Sequence, residues 1–218
     1  MKQNMHQTSH AVQFKHLKQF LVWLQARRWF RAGIASLLLA FASVATLDLS
    51  ACSDSAGSEN LAIAQAYDVL AKEGRGFGTG SMMASNTVYV LFDPQCPHCG
   101  HLWETVQAMK QHVKFVWLPV AFIGPASATQ GAALLSAADP VAAMTAHEAS
   151  LLAGQGGTAA SANVPDDIAT AIRKNTDLFK RIGGESVPYI VAKNAHTGAV
   201  VGEAGALDAE GLVQFLGL

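Results

Sequence analysis

Cysteine and charge are both scarce in this sequence. The 218 residues include 3 Cys, and 14% of them are charged while 50% are apolar. A small scaffold stapled by disulfides needs a higher density of cysteine, so this composition excludes that class and predicts a core stabilised by packing. Beyond any targeting segment, the length suits one ordinary domain.

Acidic residues are absent from positions 1–47, which nevertheless contain six basic residues. From Ser53 onward the balance reverses, and acidic residues outnumber basic ones by 15 to 9. A surface of that sign offers no basic face to phosphates, so nucleic acid is excluded as an expected partner.

Residues 32–47 form an uncharged, mostly apolar run between Arg31 and Asp48. Its length is closer to the apolar region of a signal peptide than to the roughly 20 residues that a membrane span needs. We therefore predict that residues 1–52 are an export signal, that residues 53–60 are a tether, and that the protein is periplasmic. Membrane contact is expected only through a retained signal anchor or a lipid.

The third cysteine lies directly after this run, in Leu49-Ser50-Ala51-Cys52. This tetrapeptide resembles the lipobox of bacterial lipoproteins, in which the cysteine receives a lipid and becomes the new N-terminus. We predict lipidation of Cys52 on this ground. The alternative is an unmodified cysteine near an ordinary cleavage site.

Periodicity predicts an α/β domain over residues 61–218. A first helix is expected over 60–73 with Ser58 as its cap, followed by a Gly- and Ser-rich loop with one short strand. The run Thr87-Val88-Tyr89-Val90-Leu91-Phe92 predicts a strand buried on both faces. The remaining expected elements are a strand over 113–122, helices over 128–138, 141–150 and 166–182, a hairpin of strands 188–192 and 199–201, and a helix over 209–216 capped by Asp208.

The motif Cys96-Pro97-His98-Cys99 falls where the buried strand gives way to a helical pattern. A helix N-terminus has unpaired N–H groups and a partial positive charge that stabilise a thiolate. Pro97 suits the first helical position, and His98 adds a donor or a positive charge near the sulfur. Both effects lower the pKa of Cys96, which predicts a nucleophilic Cys96, a resolving Cys99 and an oxidising pair.

A zinc-held structural domain is the alternative for such a motif. No second Cys-x-x-Cys exists, and His98 and His101 would crowd the same short helix. Covalent haem attachment would need histidine where Gly100 stands. We expect no metal and no cofactor other than the redox-active disulfide Cys96–Cys99.

Val187-Pro188 precedes a late strand, where proline is unusual inside a sheet. We predict a cis peptide bond at this position. Asp93 is interpreted as a strand terminator, with assistance to proton transfer at Cys99 as the alternative. Four other histidines are expected on the surface or on helix faces without a role, and these are His101, His112, His147 and His196.

The segment from Val88 to Cys99, followed by Trp103, resembles the catalytic domain of the DsbC/DsbG group of periplasmic thiol-disulfide oxidoreductases and isomerases, most of all its DsbG members. The resemblance extends through Gly124-Pro125-Ala126-Ser127, Asp139-Pro140 and Glu148-Ala149-Ser150, and it resumes at Val187-Pro188. It implies a thioredoxin-like fold with a helical insertion before the cis-proline hairpin.

The same resemblance implies roles for individual residues. Cys96 would be the nucleophile, Cys99 the resolving partner, and Val187 and Pro188 the substrate-facing residues. Cysteine-containing client proteins would be the substrates, and a membrane redox partner would reduce or oxidise the pair. The thioredoxin strand often carries a buried acid six residues before the nucleophile, where this chain has Val90.

Two departures from the group affect the functional prediction. Group members with isomerase activity have an N-terminal dimerisation domain, for which the segment after Cys52 is too short, so we expect a monomer. Pro97-His98 and Val187 resemble DsbA instead. We predict an exported thiol-disulfide oxidoreductase, with a chaperone-like binding module of the same fold, in which the cysteines are secondary, as the alternative.

Overall fold

A five-stranded mixed sheet lies at the centre of residues 61–218, the part of the chain that this computed structural model describes. The strand order is β1-β3-β2-β4-β5, in which β2 and β3 are parallel and the other neighbours are antiparallel. The strands are β1 (Phe77–Gly80), β2 (Thr87–Phe92), β3 (Lys114–Pro119), β4 (Tyr189–Lys193) and β5 (Val200–Ala204).

Six helices surround this sheet in the described residues. They are α1 (Ile63–Glu73), α2 (Pro97–Met109), α3 (Ser127–Ser136), α4 (Pro140–Leu152), α5 (Asp166–Arg181) and α6 (Ala209–Leu216). The expected order of strand, helix, strand, helices, hairpin and helix is confirmed, and so is the α/β fold class.

Strand β2 is central because its β-branched and aromatic residues are apolar on both faces. Val88, Val90 and Phe92 are fully buried. In the register of the antiparallel pair, Leu91 at the end of β2 lies opposite Tyr189 at the start of β4. The segment after β2 and the segment before β4 therefore lie side by side, although they are far apart in sequence.

Helices α3, α4 and α5 form the predicted insertion between β3 and β4. Helix α5 is strongly amphipathic and buries one apolar face that includes Ile172 and Phe179. Helix α3 packs against α5, while α4 packs against α2. The insertion thus returns to the helix that carries the cysteine motif.

The closing elements match the predictions closely. Helix α6 begins at Ala209, and the side chain of Asp208 accepts a hydrogen bond from the N–H of Gly211 at 2.8 Å. Such a cap satisfies one of the unpaired donors of the first turn. The expected hairpin is also present, with β4 and β5 paired in antiparallel register.

Two elements, β3 and α1, are three residues shorter at one end than predicted. Strand β3 ends at Pro119 because the N–H groups of Phe122 and Ile123 donate to the carboxylate of Asp93 instead of continuing a sheet ladder. Helix α1 begins at Ile63, after Ala62, which makes no side-chain cap.

Four predictions lie outside the described residues. They are the cap at Ser58, the export signal 1–52 with its lipobox at Cys52, and the tether 53–60. Among residues 61–218, no helix has both the length and the apolar character needed to cross a membrane.

Candidate active site

Cys96 occupies the N-cap of α2, directly after the turn that ends β2. Pro97 takes the first helical position, where its missing N–H leaves no hydrogen bond unmade. The Cys96 side chain is 3% exposed, and its thiol donates to the backbone carbonyl of Val187 with 3.3 Å between Sγ and O. The strand-to-helix junction predicted from the sequence therefore positions this sulfur.

The pKa of Cys96 is lowered from 9.0 to about 7. A hydrogen bond from the Cys99 side chain contributes most, and the backbone N–H groups of Cys99 and His98 add to it, although burial and the charge of Asp93 oppose the shift. Hydrogen bonds to the thiolate favour the ionised form. Cys96 is thus ionised to a substantial extent near neutral pH.

Cys99 has the opposite electrostatic environment. Its side chain is fully buried, and burial raises its pKa well above 9.0. The hydrogen bond that stabilises the Cys96 thiolate uses the Cys99 proton, so the two shifts have a common origin. One cysteine is ready to attack, and the other keeps its proton.

The side chains of Pro97 and His98 are exposed between the two cysteines. The sequence predicted that the His98 side chain helps to lower the pKa of Cys96. In the structure the contribution of His98 comes from its backbone N–H. The His98 side chain is exposed to solvent.

Val187 and Pro188 form the opposite wall of the site. The peptide bond between them is cis, as the sequence analysis predicted. Both residues are buried, and the Pro188 carbonyl accepts a hydrogen bond from the N–H of Gly205 at 2.8 Å. The Val187 carbonyl faces the sulfur of Cys96.

Asp93 does more than end a strand. Its carboxylate is fully buried and accepts hydrogen bonds from the N–H groups of Gln95, Phe122 and Ile123 and from the hydroxyl of Ser127, at 2.7 to 2.8 Å. These bonds tie the cysteine turn to the loop after β3 and to the start of α3. The interpretation as a terminator was therefore incomplete.

The sequence predicted that His147 is a surface or helix-face residue without a role; it lies in α4, but it is not on the surface. The ring is fully buried: Nδ1 accepts from the N–H of Thr158 at 3.1 Å, and Nε2 lies 2.6 Å from the carbonyl of Pro94. Since Nδ1 is an acceptor, Nε2 carries the hydrogen and donates to Pro94. Burial lowers the pKa of His147, so the ring is neutral and buttresses the cysteine turn. His101, His112 and His196 are exposed, as expected.

Glu148 was missed as a site residue. Its side chain is 1% exposed, and burial, followed by the charge of Cys96, raises its pKa from 4.5 to about 8. The available signal was a glutamate within an Ala-rich helical segment that matches the DsbC/DsbG group. Among residues 61–218, no three His, Cys, Asp or Glu side chains converge in a way that would hold a metal ion.

Comparisons with known proteins find relatives in sequence and in structure. No protein-family model matches the chain. The thiol:disulfide interchange protein DsbG of Pseudomonas aeruginosa is 32% identical over 146 residues, which cover 63% of this chain and 54% of that protein. The chain is DsbG-like. It spans about half the length of the curated DsbG relatives that it matches.

Solved structures show the fold of this DsbG-like chain. The catalytic domain of Proteus mirabilis ScsC superposes with a TM-score of 0.55 at 22% identity, covering 71% of this chain and 94% of that domain. A periplasmic thioredoxin-like protein from Salmonella enterica serovar Typhimurium gives a TM-score of 0.55 at 18% identity, covering 70% and 94% of the two chains. The thioredoxin-like fold with its helical insertion is thus confirmed.

Proposed function

We propose that this protein is a thiol-disulfide oxidoreductase that exchanges disulfides with cysteine-containing client proteins through a mixed disulfide at Cys96. The proposal rests on one observation, the placement of Cys96 at the N-cap of α2 with the buried Cys99 in the same helical turn. Cys96 has a pKa of about 7, whereas burial raises the pKa of Cys99 well above 9.0. Similarity to DsbG supports the same activity.

In the reducing direction, the Cys96 thiolate attacks a client disulfide and forms a mixed disulfide, while one client sulfur leaves as a thiolate. Cys99 then attacks the Sγ of Cys96, which releases the second client sulfur and forms the Cys96–Cys99 disulfide. The oxidising direction runs these steps in reverse. Pro97 and His98 line the approach to the sulfur, and Val187 and Pro188 provide the wall against which an extended client would lie.

The lowered pKa of Cys96 stabilises the dithiol form, which favours an oxidising pair. The equilibrium reduction potential of the full chain against glutathione tests this point. We expect a potential less negative than that of thioredoxin, which is about −270 mV. A reduction potential equal to that of thioredoxin, or more negative, would indicate that the protein reduces its clients.

A trapping experiment tests the activity itself. The Cys99→Ser variant cannot resolve mixed disulfides, so insulin incubated with it should accumulate as an adduct that a reductant removes. Cys96→Ser is the matched control and should form none. Absence of both adducts and insulin reduction in the parent would rule out the proposal. Unchanged holdase activity in Cys96→Ala would then favour the chaperone-like module.

Export to the periplasm, a monomeric state and a membrane redox partner are parts of the same proposal. Uncharged residues 32–47 and the cysteine of Leu49-Ser50-Ala51-Cys52 support export and a lipid tether. Fatty-acid labelling of cells should mark the parent and not the Cys52→Ala variant. Fractionation of cells that produce Cys52→Ala would show whether the protein reaches the periplasm without the lipid. Size-exclusion chromatography would report the oligomeric state.

A further inference from the structure

Glu148 in α4 is a buried acid without a hydrogen-bond partner. Its side chain is 1% exposed, and neither Oε1 nor Oε2 has a partner within residues 61–218. Burying a carboxyl group without such a partner costs free energy. The residue is therefore expensive to keep for stability alone, and its position suggests what it does.

The carboxyl group lies against the turn that contains the resolving cysteine. Gly100 follows Cys99, and a Cβ atom on Gly100 would come within 2.8 Å of Oε2 of Glu148 and 3.1 Å of Cγ of Leu152. The absence of a side chain at position 100 makes room for the carboxyl group. Leu152 closes the same space from the next turn of α4 and keeps it apolar.

The titratable groups around Glu148 are mainly the cysteines themselves. Cys96 and Cys99 face it from the start of α2, whereas His98, His101 and Glu104 of α2 are exposed. Helix α3 and strand β1, which also pack against α4, contain no titratable side chain. Within α4 itself, both ring nitrogens of His147 are already hydrogen-bonded, one to Pro94 and one to Thr158.

Asp93 is the only other buried carboxylate near the pair in the described chain, and its oxygens are already engaged. Oδ1 accepts from Gln95 and Ser127, and Oδ2 accepts from two further N–H groups. Each oxygen of Asp93 therefore already accepts two hydrogen bonds, which occupy its lone pairs. Glu148 has both oxygens free.

We propose that Glu148 accepts the proton that the Cys99 thiol loses when Cys99 resolves a mixed disulfide at Cys96, and returns it when Cys99 leaves in the reverse direction. This inference rests on the proposed function. The S–H bond of Cys99 breaks and its proton passes to the Glu148 carboxylate. The Cys99 sulfur bonds to Cys96, and the client sulfur leaves with its electron pair as a thiolate. The pair is oxidised and the client is reduced.

The electrostatics of the site favour proton transfer to Glu148 at the step in which Cys99 attacks. Burial holds the pKa of Cys99 high, so its attack needs a base. The charge of Cys96 contributes to the raised pKa of Glu148, and that charge is absent once Cys96 is in a mixed disulfide. Glu148 therefore ionises more readily at the stage that requires a proton acceptor.

A two-step reaction of the reduced full chain with Ellman's reagent tests the proposal. At acidic pH, attack by Cys96 leaves a mixed disulfide and releases one thionitrobenzoate. A jump to neutral pH then allows attack by Cys99, which releases the second. General-base assistance typically contributes about 10²–10⁴-fold, so in Glu148→Gln we expect the second release to slow by at least about tenfold, with the first unchanged.

Two variants serve as controls. Glu104→Gln removes an exposed carboxylate from α2 and should leave both steps as in the parent, while Glu148→Asp keeps the acid and should lie between parent and glutamine variant. An unaltered second step and pH profile in Glu148→Gln would overturn the proposal. If that variant does not fold, an unaltered second step in Glu148→Ala, which also lacks the acid, would do so. A parent that never releases the second thionitrobenzoate would instead refute the proposed function.

Discussion

The thiol of Cys96 donates a hydrogen bond to the carbonyl of Val187, a residue 91 positions away in sequence, with 3.3 Å between Sγ and O. A carbonyl can accept from a thiol but cannot stabilise a thiolate. Ionisation of Cys96 therefore breaks this contact, and the lowered pKa must come from the helix side of the sulfur, where Cys99 and the N–H groups lie.

The first prediction concerns the Cys99 hydrogen bond. Alkylation of Cys96 by iodoacetamide should show a midpoint near pH 7 in the parent. Cys99→Ala removes the main stabilising donor and should raise the midpoint by about one to two pH units, given the usual strength of a hydrogen bond to a charged group. Cys99→Ser keeps a donor and should raise it less. Equal midpoints in all three proteins would contradict the assignment.

The second prediction concerns the pH dependence of stability. Folding raises the pKa of Glu148 from 4.5 to about 8. For an acid, this shift gives stability that is present below the unfolded pKa and is lost as the pH rises through the folded pKa. Relative to the reduced parent, Glu148→Gln should therefore gain unfolding free energy with rising pH, by up to about 1.4 kcal/mol per pH unit.

Urea denaturation of the reduced proteins between about pH 5 and about pH 8 measures this difference. Subtracting the unfolding free energy of the parent from that of the variant at each pH cancels the contributions of other titratable groups, including His147. A difference that does not change with pH would mean that Glu148 has an ordinary pKa. Glu104→Gln, at an exposed site on α2, should give such a flat difference.

The third prediction concerns the space beside Gly100. Alanine in place of a helical glycine normally stabilises a helix. Here the added Cβ would lie 2.8 Å from Oε2 of Glu148. Gly100→Ala should therefore lower the unfolding free energy by about 1–3 kcal/mol, as overpacking does. In a Glu148→Ala background the nearest atom is absent, so Gly100→Ala should lower the unfolding free energy by less. Thermal unfolding with and without Gly100→Ala, in the parent and in Glu148→Ala, would reveal this difference.

The fourth prediction concerns Asp93. Asp93→Asn keeps the shape but removes the charge and presents an amide nitrogen to N–H donors, so we expect a loss of about 3 kcal/mol. Ser127→Ala removes one of the four donors to Asp93 and should cost about 1 kcal/mol. Chemical denaturation of both variants distinguishes the two effects. Similar costs would show that the backbone donors contribute little.

Much of the fold follows from local pattern. The run from Thr87 to Phe92 could belong only to a buried element, and Asp208 before an apolar stretch predicted the start of α6 correctly. The end of β3 was harder, because it depends on where the N–H groups of Phe122 and Ile123 find acceptors. That acceptor, Asp93, directly follows the end of β2, and no short-range sequence pattern predicts that it meets these N–H groups.

The same limit applies to the site. Cys96, Cys99 and the cis bond at Pro188 were accessible because each belongs to a short motif with a mechanism. His147 and Glu148 were not, since periodicity indicates which residues face inward but not which group they meet. His147 reaches Pro94 across 53 residues of sequence, and that contact exists only after α4 has packed on α2.

The insertion of α3, α4 and α5 leaves the sheet after β3 and returns to it at β4. Many such insertions can be shortened without changing the core fold. This one is different, because its middle helix carries an acid and an imidazole back to the cysteine turn. A shortened chain without this insertion would keep both sulfurs and the donors that lower the pKa of Cys96, but it would lose the buried acid and the imidazole beside the turn.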